Sequence, residues 1–299
     1  VGTLQRLTGR EVSIGAGTAI SWSPVPTVVM NDVRLKNMDK GSAQDLMRIE
    51  KVQVNMTWSS LLKSPMVIDS IELTKPTILL ERLESNRVNF AFPFLIDPNF
   101  QLNEIDFMSA EKTGPSDTGT QISSIKIKEG TITYQNAVSG IRWVMQNVNG
   151  QLAADSVRGP FRWTGAGVVN NVPYQLNART GVFQGTNPIA VSLNLKSDML
   201  GLETTLDGTF TPTRLDKWFE ASGNFVVAKT NDLMRAVGLP APWGANDRKV
   251  DGNWTVEVTP AENILKNFIV TYDPENPKTA LTGTISQKAG TRTQYNITL

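Results

Sequence analysis

Carboxylates are the only side chains in this sequence that could act as general acids or bases near neutral pH. The 299 residues include no histidine and no cysteine, which excludes imidazole bases, Ser-His-Asp triads, thiol nucleophiles and disulfides. Asp97, Glu104 and Asp106 lie close together in the sequence, and paired carboxyl groups can hydrolyse glycosides. Because phenylalanines crowd the same segment, a packed loop rimmed by solvated acids is the better interpretation. We therefore predict that the protein is not an enzyme and holds no cofactor or metal.

The charge balance argues against a nucleic-acid partner. Lys and Arg number 29 and Asp and Glu number 28, so the basic excess typical of nucleic-acid-binding proteins is missing. A hydrophobic fraction of 40% with 19% charged residues is typical of a folded, water-soluble chain. The longest apolar stretch, residues 91–96, is too short to span a bilayer as a helix.

Seven tryptophans raise the possibility of a carbohydrate-binding module, since aromatic rings stack on sugars. Four of them occupy alternating positions among aliphatic neighbours: Trp58, Trp143, Trp163 and Trp254. Packing is the commoner use of tryptophan in such positions. We therefore predict that these rings belong to the core.

Alternation of apolar and polar residues with a period of two dominates the chain. It is clearest from Val52 to Trp58, from Val191 to Leu195 and from Val250 to Val258. Ile125 and Ile127 are followed by Gly130 and then by another alternating run, which predicts a hairpin. Such alternation indicates half-buried antiparallel strands with one apolar and one wet face.

Helical signals are few and short. We predict a helix over 232–237 capped by Thr230 or Asn231, one from Thr211 toward Ala221, and single turns at 58–62 and 4–7.

Five similar tetrapeptides begin with glycine, and each is interpreted as a turn followed by a strand: Gly130, Gly208, Gly223, Gly252 and Gly283. They indicate an internal repeat, in which a meander was extended by adding hairpins, or else a chance similarity of the kind that any β-meander produces.

The composition changes once along the chain. Residues 107–121 are rich in Gly, Ser, Thr, Lys and Asp, as in a linker or flexible loop. We predict an N-terminal segment of residues 1–106, this linker, and a repeating β-meander over residues 122–299.

An ordered series of short motifs resembles the AsmA family of bacterial envelope proteins. Its N-terminal part comprises residues 7–10, 12–14, 24–26, 30–37, 48–52, 58–62, 68–76, 79–82 and 86–90. Residues 130–134, 148–152 and 159–165 continue the series. The family usually has tryptophan where this chain has Phe90, a conservative departure.

The resemblance implies a location and an architecture. It implies an inner-membrane anchor just before Val1, with the remainder of the protein in the periplasm. AsmA-like proteins are similar to chorein-type bridge lipid-transfer proteins. The expected fold is therefore all-β with a few short helices, a long twisted antiparallel sheet folded into an elongated open groove, or β-taco.

The function implied is transport of phospholipid between the inner and outer membranes without catalysis. The expected partners are phospholipid acyl chains, the inner membrane and outer-membrane proteins. The residues expected to line the groove are Val52, Val54, Met56, Ile125, Ile127, Ile132, Tyr134, Val191, Leu193, Leu195, Val256 and Val258.

Two alternatives stay open at this point. A closed sandwich with a dry core would show the same alternation, because it also buries every second residue. The alternative function is a structural or assembly factor for outer-membrane proteins that acts through exposed strand edges.

Overall fold

The computed structural model of the chain is described here for a defined set of residues. These are residues 2, 5, 8–61, 67–85, 87–90, 92, 105–107, 120–137, 140–154, 159–182, 187–211, 219–236, 247–259, 262–271, 280–288 and 294–298. Residues 4, 6 and 7 of the turn expected at 4–7, most of the linker expected at 107–121, and the acids Asp97 and Glu104 lie outside them.

Strands make up most of the described chain. They are β1 (Val12–Ile14), β2 (Ala19–Ser21), β3 (Thr27–Lys36), β4 (Asp45–Asn55), β5 (Val67–Ile68), β6 (Ser70–Arg82), β7 (Ile105–Phe107), β8 (Thr120–Ile122), β9 (Ile125–Asn136), β10 (Ile141–Ala154), β11 (Phe161–Val169), β12 (Val172–Thr180), β13 (Ile189–Ser197), β14 (Leu202–Phe210), β15 (Phe219–Val227), β16 (Val250–Val258), β17 (Glu262–Thr271), β18 (Ala280–Lys288) and β19 (Gln294–Thr298). The helices are α1 (Trp58–Leu61) and α2 (Thr230–Ala236). No helix of the described residues is long and apolar enough to cross a membrane.

Sixteen strands form one open sheet, which confirms the all-β fold class. Their order is β1-β3-β4-β6-β9-β10-β11-β12-β13-β14-β15-β16-β17-β18-β19, and β2 also pairs with β3. Strands β5, β8 and β7 form a small second sheet. The large sheet is mixed, since β6 and β9 are parallel whereas neighbouring pairs such as β3 and β4 are antiparallel. A parallel pair needs a long connection between its strands, and residues 83–124 supply it.

The chain divides into two compact units, 1–167 and 168–299. We call them unit 1 and unit 2. The segment boundaries expected at 106 and 121 stay a prediction.

Unit 1 contains a dry core on its first strands. The side chains of Val12, Val33, Leu35, Leu46, Ile49 and Val52 are all at most 8% exposed and pack together. They come from β1, β3 and β4, whose registers place Val12 opposite Leu35 and Val33 opposite Ile49. Burying several such side chains stabilises this end of the sheet by roughly 1.5 to 3 kcal/mol each.

A line of left-handed backbone crosses unit 1. Asp32, Lys75, Glu129 and Asn147 have φ values of 49°, 49°, 53° and 49°. Glu50 of β4 has no positive φ, but the register places it between Asp32 and Lys75 on the same line. We call these five residues the crease.

The crease corrects the hairpin expected around Gly130. Residues 125–136 form one strand, β9, and Gly130 lies inside it. The positive φ at Glu129 shifts the alternation by one residue without reversing the chain, which imitates two short strands in the sequence.

Unit 2 is built by consecutive antiparallel pairing. From β12 to β19 each strand pairs with the next one along the chain. The helix expected to run to Ala221 is wrong at its end, because β15 already begins at Phe219. The helix expected near 232–237 is confirmed as α2. At its N-terminus, the Asn231 backbone N–H donates a hydrogen bond of 2.6 Å to the Asp247 carboxylate. This cap comes from a residue distant in sequence.

Candidate functional site

One face of unit 2 is apolar across five strands. The registers of β12 to β16 place Ala178, Leu193, Leu206, Gly223 and Trp254 in one row, each opposite the next. A parallel row contains Val191, Gly208, Ala221 and Val256, and another contains Leu195, Thr204, Phe225 and Gly252. The opposite face carries polar residues such as Lys196 and Glu203, whose Nζ and Oε1 atoms are 2.8 Å apart.

The middle of this apolar face is only half-buried. Leu193, Leu206, Trp254 and Val256 all keep part of their surface exposed. Full burial occurs mainly at the strand ends, where Ile189 is 1%, Leu200 2% and Val227 1% exposed. Ala221 is an exception at 2%, because a small side chain is covered by its neighbours. The face is therefore sealed along its margin and accessible along its centre.

Aromatic rings lie close against glycines in this face. A Cβ atom at Gly223 would be 2.8 Å from Cζ2 of Trp254, and one at Gly252 would be 2.9 Å from Cε1 of Phe225. The five glycine tetrapeptides are therefore wrong as turns, since each glycine lies inside a strand: Gly130, Gly208, Gly223, Gly252 and Gly283. A glycine in a strand commonly marks a close approach of this kind.

Unit 1 has apolar rows of its own on both sides of the crease. On one side, Val54, Ile71, Ile125 and Leu152 form a row. Beyond the crease, Ile78, Ile132 and Met145 form another. A Cβ atom at Gly130 would lie 3.0 Å from Cγ2 of Ile127, so Gly130 and Ile127 share a face although they are three residues apart. The left-handed residues thus keep apolar side chains together where strict alternation would separate them.

Ten of the twelve expected lining residues are half-buried strand residues on these faces, and Val52 and Met56 are the two exceptions. In unit 2, Val191, Leu193, Leu195, Val256 and Val258 share one face and are half-buried.

In unit 1, half-burial describes Val54, Met56, Ile125, Ile127, Ile132 and Tyr134. Val52 differs, because at 6% exposure it belongs to the dry core. Met56 follows β4, where its backbone N–H donates to the Pro26 carbonyl at 3.0 Å. Whether any of the twelve contacts lipid stays a prediction.

Two tryptophans contradict the packing expected of them. Trp58 is 53% exposed and Trp143 is 59% exposed, whereas Trp163 and Trp254 are half-buried. Alternation assigns a side chain to a face of the sheet, but it does not show whether that part of the face is covered.

A buried polar cluster in unit 1 was not anticipated. Glu81 and Asn89 are 0% exposed and Asn37 is 6% exposed. Asn37 Nδ2 donates to Glu81 Oε1 at 2.6 Å, and Asn89 Nδ2 donates to Asn37 Oδ1 at 3.1 Å. Gln135 Nε2 donates to Glu81 Oε2 at 3.1 Å, and the Ser42 N–H donates to both oxygens at 3.2 Å. We call these five residues the Glu81 cluster.

The cluster holds an ionised carboxylate. Burial raises the pKa of Glu81, but hydrogen bonds from Ser42, Asn37 and Gln135 outweigh burial and leave that pKa below its ordinary value. Both oxygens accept bonds from the protein, so the cluster acts as a clamp between separate segments. Among the described residues, no group of three or more acidic side chains is placed to hold a metal ion. The signal in the sequence was that Asn37, Glu81 and Asn89 all lie within the family-like motifs.

Taken together, the described residues define an all-β protein with an open sheet and an extended, half-exposed apolar face. The AsmA family model matches residues 3–233, well over half of the chain, and the protein belongs to the AsmA family. This is an envelope-associated family. Neither the comparison with curated proteins nor that with solved structures gave a match.

Proposed function

We propose that this protein is a non-enzymatic, periplasmic lipid-handling protein that guides phospholipid between the inner and outer membranes. The acyl chains would lie on the apolar sheet faces of the two units. The observation that carries the proposal is the half-burial of the central residues of these faces, beside full burial at the margin in unit 2. Family membership supports an envelope setting.

The energetic argument follows from the hydrophobic effect. Each methylene transferred from water gains about 0.8 kcal/mol, so an acyl chain of about 16 carbons exposes roughly 12 kcal/mol of unfavourable surface in water. Rows of aliphatic side chains replace that water. Strands spaced about 4.8 Å apart repeat the same contact along the sheet, and repeated contacts of similar strength leave no deep minimum in which a lipid would be trapped.

Leu193 is the sharpest position for a test. It lies in the middle row of unit 2 and is half-buried, so a carboxylate there would interrupt the apolar path. Val54 is less suitable because it packs against the dry core of unit 1. Ala190, on the same strand, faces the opposite side and is exposed, which makes Ala190→Asp a matched control.

The experiment is extraction and mass spectrometry of lipids bound to the purified chain. We expect phospholipid to be recovered with the parent chain and with Ala190→Asp, and to be lost for the most part with Leu193→Asp. Urea unfolding of both variants checks that each remains folded. Phospholipid no higher than in an unrelated periplasmic protein of similar size, or equal loss in both variants, would contradict the proposal.

One observation favours the second candidate, an assembly factor for outer-membrane proteins. Strand β19 pairs only with β18 among the described strands, and such an edge can accept another strand. A proline placed at Asn296, opposite Thr284, would then remove partner binding and leave bound lipid unchanged. If the proline variant left partner binding unchanged and the tested variants altered only bound lipid, the first candidate would be favoured.

A further inference from the structure

Two exposed tryptophans stack on each other at one end of unit 1. The ring centroids of Trp22 and Trp58 are 6.1 Å apart, with an angle of 26° between the ring planes. The two rings are 56% and 53% exposed, and nearby Ile20 and Val25 are 59% and 40% exposed. We call these four residues the aromatic patch. Exposed rings that already pack together form a rigid apolar surface.

The turn that carries Trp22 is held in place by its own hydrogen bonds. Ser21 Oγ donates to the Ser23 carbonyl at 3.1 Å, and Thr27 Oγ1 donates to the Val25 carbonyl at 3.2 Å. On the other side, the Met56 N–H bond to Pro26 fixes the approach to Trp58. The patch is therefore preformed.

The chain segments that carry the patch contain no charged residue. Residues 12–31 and 52–62 contain no Asp, Glu, Lys or Arg, in a chain with 19% charged residues. Ser, Thr and Asn supply the polar groups instead. A surface of indole rings, aliphatic side chains and hydroxyl groups matches the interfacial region of a bilayer, where tryptophan is enriched.

The position of the patch also suits a bilayer. Strands β1 and β2 pair with the same side of β3, opposite β4, and thus form the first edge of the open sheet. Trp22 directly follows β2 on this edge. The patch therefore lies at an edge of the large sheet and not in its middle.

The size of the patch argues against a protein partner. Its exposed side chains offer on the order of 400 Å² of apolar surface. A stable protein interface needs about 800 Å² from each partner. Shallow insertion into a bilayer needs no such area, since each inserted ring is surrounded by lipid.

We propose that the aromatic patch is a membrane-binding site that inserts into the interfacial region of a phospholipid bilayer without help from charge. This goes beyond the proposed transport function and does not depend on it, because insertion does not require lipid on the sheet face. Leu193→Asp should therefore bind vesicles like the parent chain. Lipid extraction thus tests the transport proposal and vesicle binding tests the patch, so the failure of one can be distinguished from the failure of the other.

The test is cosedimentation of the purified chain with phosphatidylcholine vesicles at low and high salt. We expect binding that does not depend on salt, and a partition coefficient at least roughly tenfold lower for the double variant Trp22→Ser, Trp58→Ser. Trp143→Ser is the matched control, since Trp143 is 59% exposed but lies on β10 opposite Tyr134. It should bind within about twofold of the parent chain.

Several outcomes would overturn the proposal. These are no vesicle binding by the parent chain, equal loss in the Trp143→Ser control, or binding only to vesicles containing phosphatidylglycerol at low salt. Self-association of the parent chain that the double variant abolishes, without vesicle binding, would make the patch a protein interface. Near-ultraviolet circular dichroism establishes that the double variant is folded; if it is not, the single variant Trp22→Ser takes its place.

Discussion

At the scale of single residues, the Glu81 cluster is the most constrained feature of unit 1. Its members come from separate segments, with Asn37 following β3, Glu81 in β6 and Gln135 in β9. A buried carboxylate that receives several hydrogen bonds is costly to disturb, since each unpaired donor loses its partner without regaining water. The cluster therefore fixes how three parts of the chain meet.

We predict that Glu81→Gln lowers the free energy of unfolding by about 2 to 4 kcal/mol at neutral pH, because the new amide group faces donors instead of accepting from them. The measurement is urea unfolding. Glu203→Gln is the control, because this carboxylate is solvent-exposed and paired with the exposed ammonium group of Lys196, so the variant should change stability little.

Glu81→Gln should also change how the free energy of unfolding depends on pH. Glu81 has a folded pKa below its ordinary value of 4.5. Its stabilising contribution is therefore complete above that value and is lost as pH falls through the folded pKa. Unfolding series at neutral and acidic pH should show a smaller acid loss for Glu81→Gln than for the parent chain. An unchanged acid slope would show that Glu81 does not titrate as described.

At the scale of elements, the crease explains both a success and a failure of prediction. In unit 2, alternation from Val191 to Leu195 is uninterrupted, so the face of each residue could be predicted from sequence. In β9 the same reasoning predicted a hairpin that does not exist. A pattern of hydrophobic residues does not reveal a positive φ such as that of Glu129, and lysine and glutamate rarely adopt one. The Glu81 cluster was missed for a related reason, since its partners meet only after β6 and β9 have paired.

We predict opposite rankings of glycine and valine at two positions of β9. At Glu129, where φ is 53°, glycine should be neutral or stabilising and valine should cost about 1 to 2 kcal/mol. At Lys126, an exposed strand position, valine should be the more stable by about 1 kcal/mol. The stabilities of the four variants are measured by thermal and urea unfolding. The same ranking at both positions would contradict the left-handed backbone at Glu129.

At the scale of the whole molecule, the two units bury their apolar residues differently. Unit 1 has a dry core in which Leu46 is 3% exposed, whereas the central rows of unit 2 stay half-buried. Covering the apolar face of unit 2 would bury more apolar surface and raise the stability of the protein. The half-buried face of unit 2 is therefore the feature that the proposed lipid-handling function would explain.

We predict that this difference appears in truncation variants. Leu46→Ala should cost about 2 to 4 kcal/mol, because it removes buried atoms and leaves a cavity. Leu193→Ala should cost clearly less, about 1 kcal/mol, because part of the leucine already contacts water. Each is measured by urea unfolding against the parent chain. Equal costs would indicate that the face of unit 2 is a closed core.

The pairing of each strand from β10 onward with its predecessor in sequence has a consequence for how such proteins change length in evolution. Duplication or loss of one hairpin in this region leaves every other pairing intact, since each described strand there pairs only with its neighbours in sequence. The parallel pair β6 and β9 offers no such freedom, because its connection must bridge two fixed strands. Natural variation in length should therefore accumulate after β9, in steps of whole hairpins.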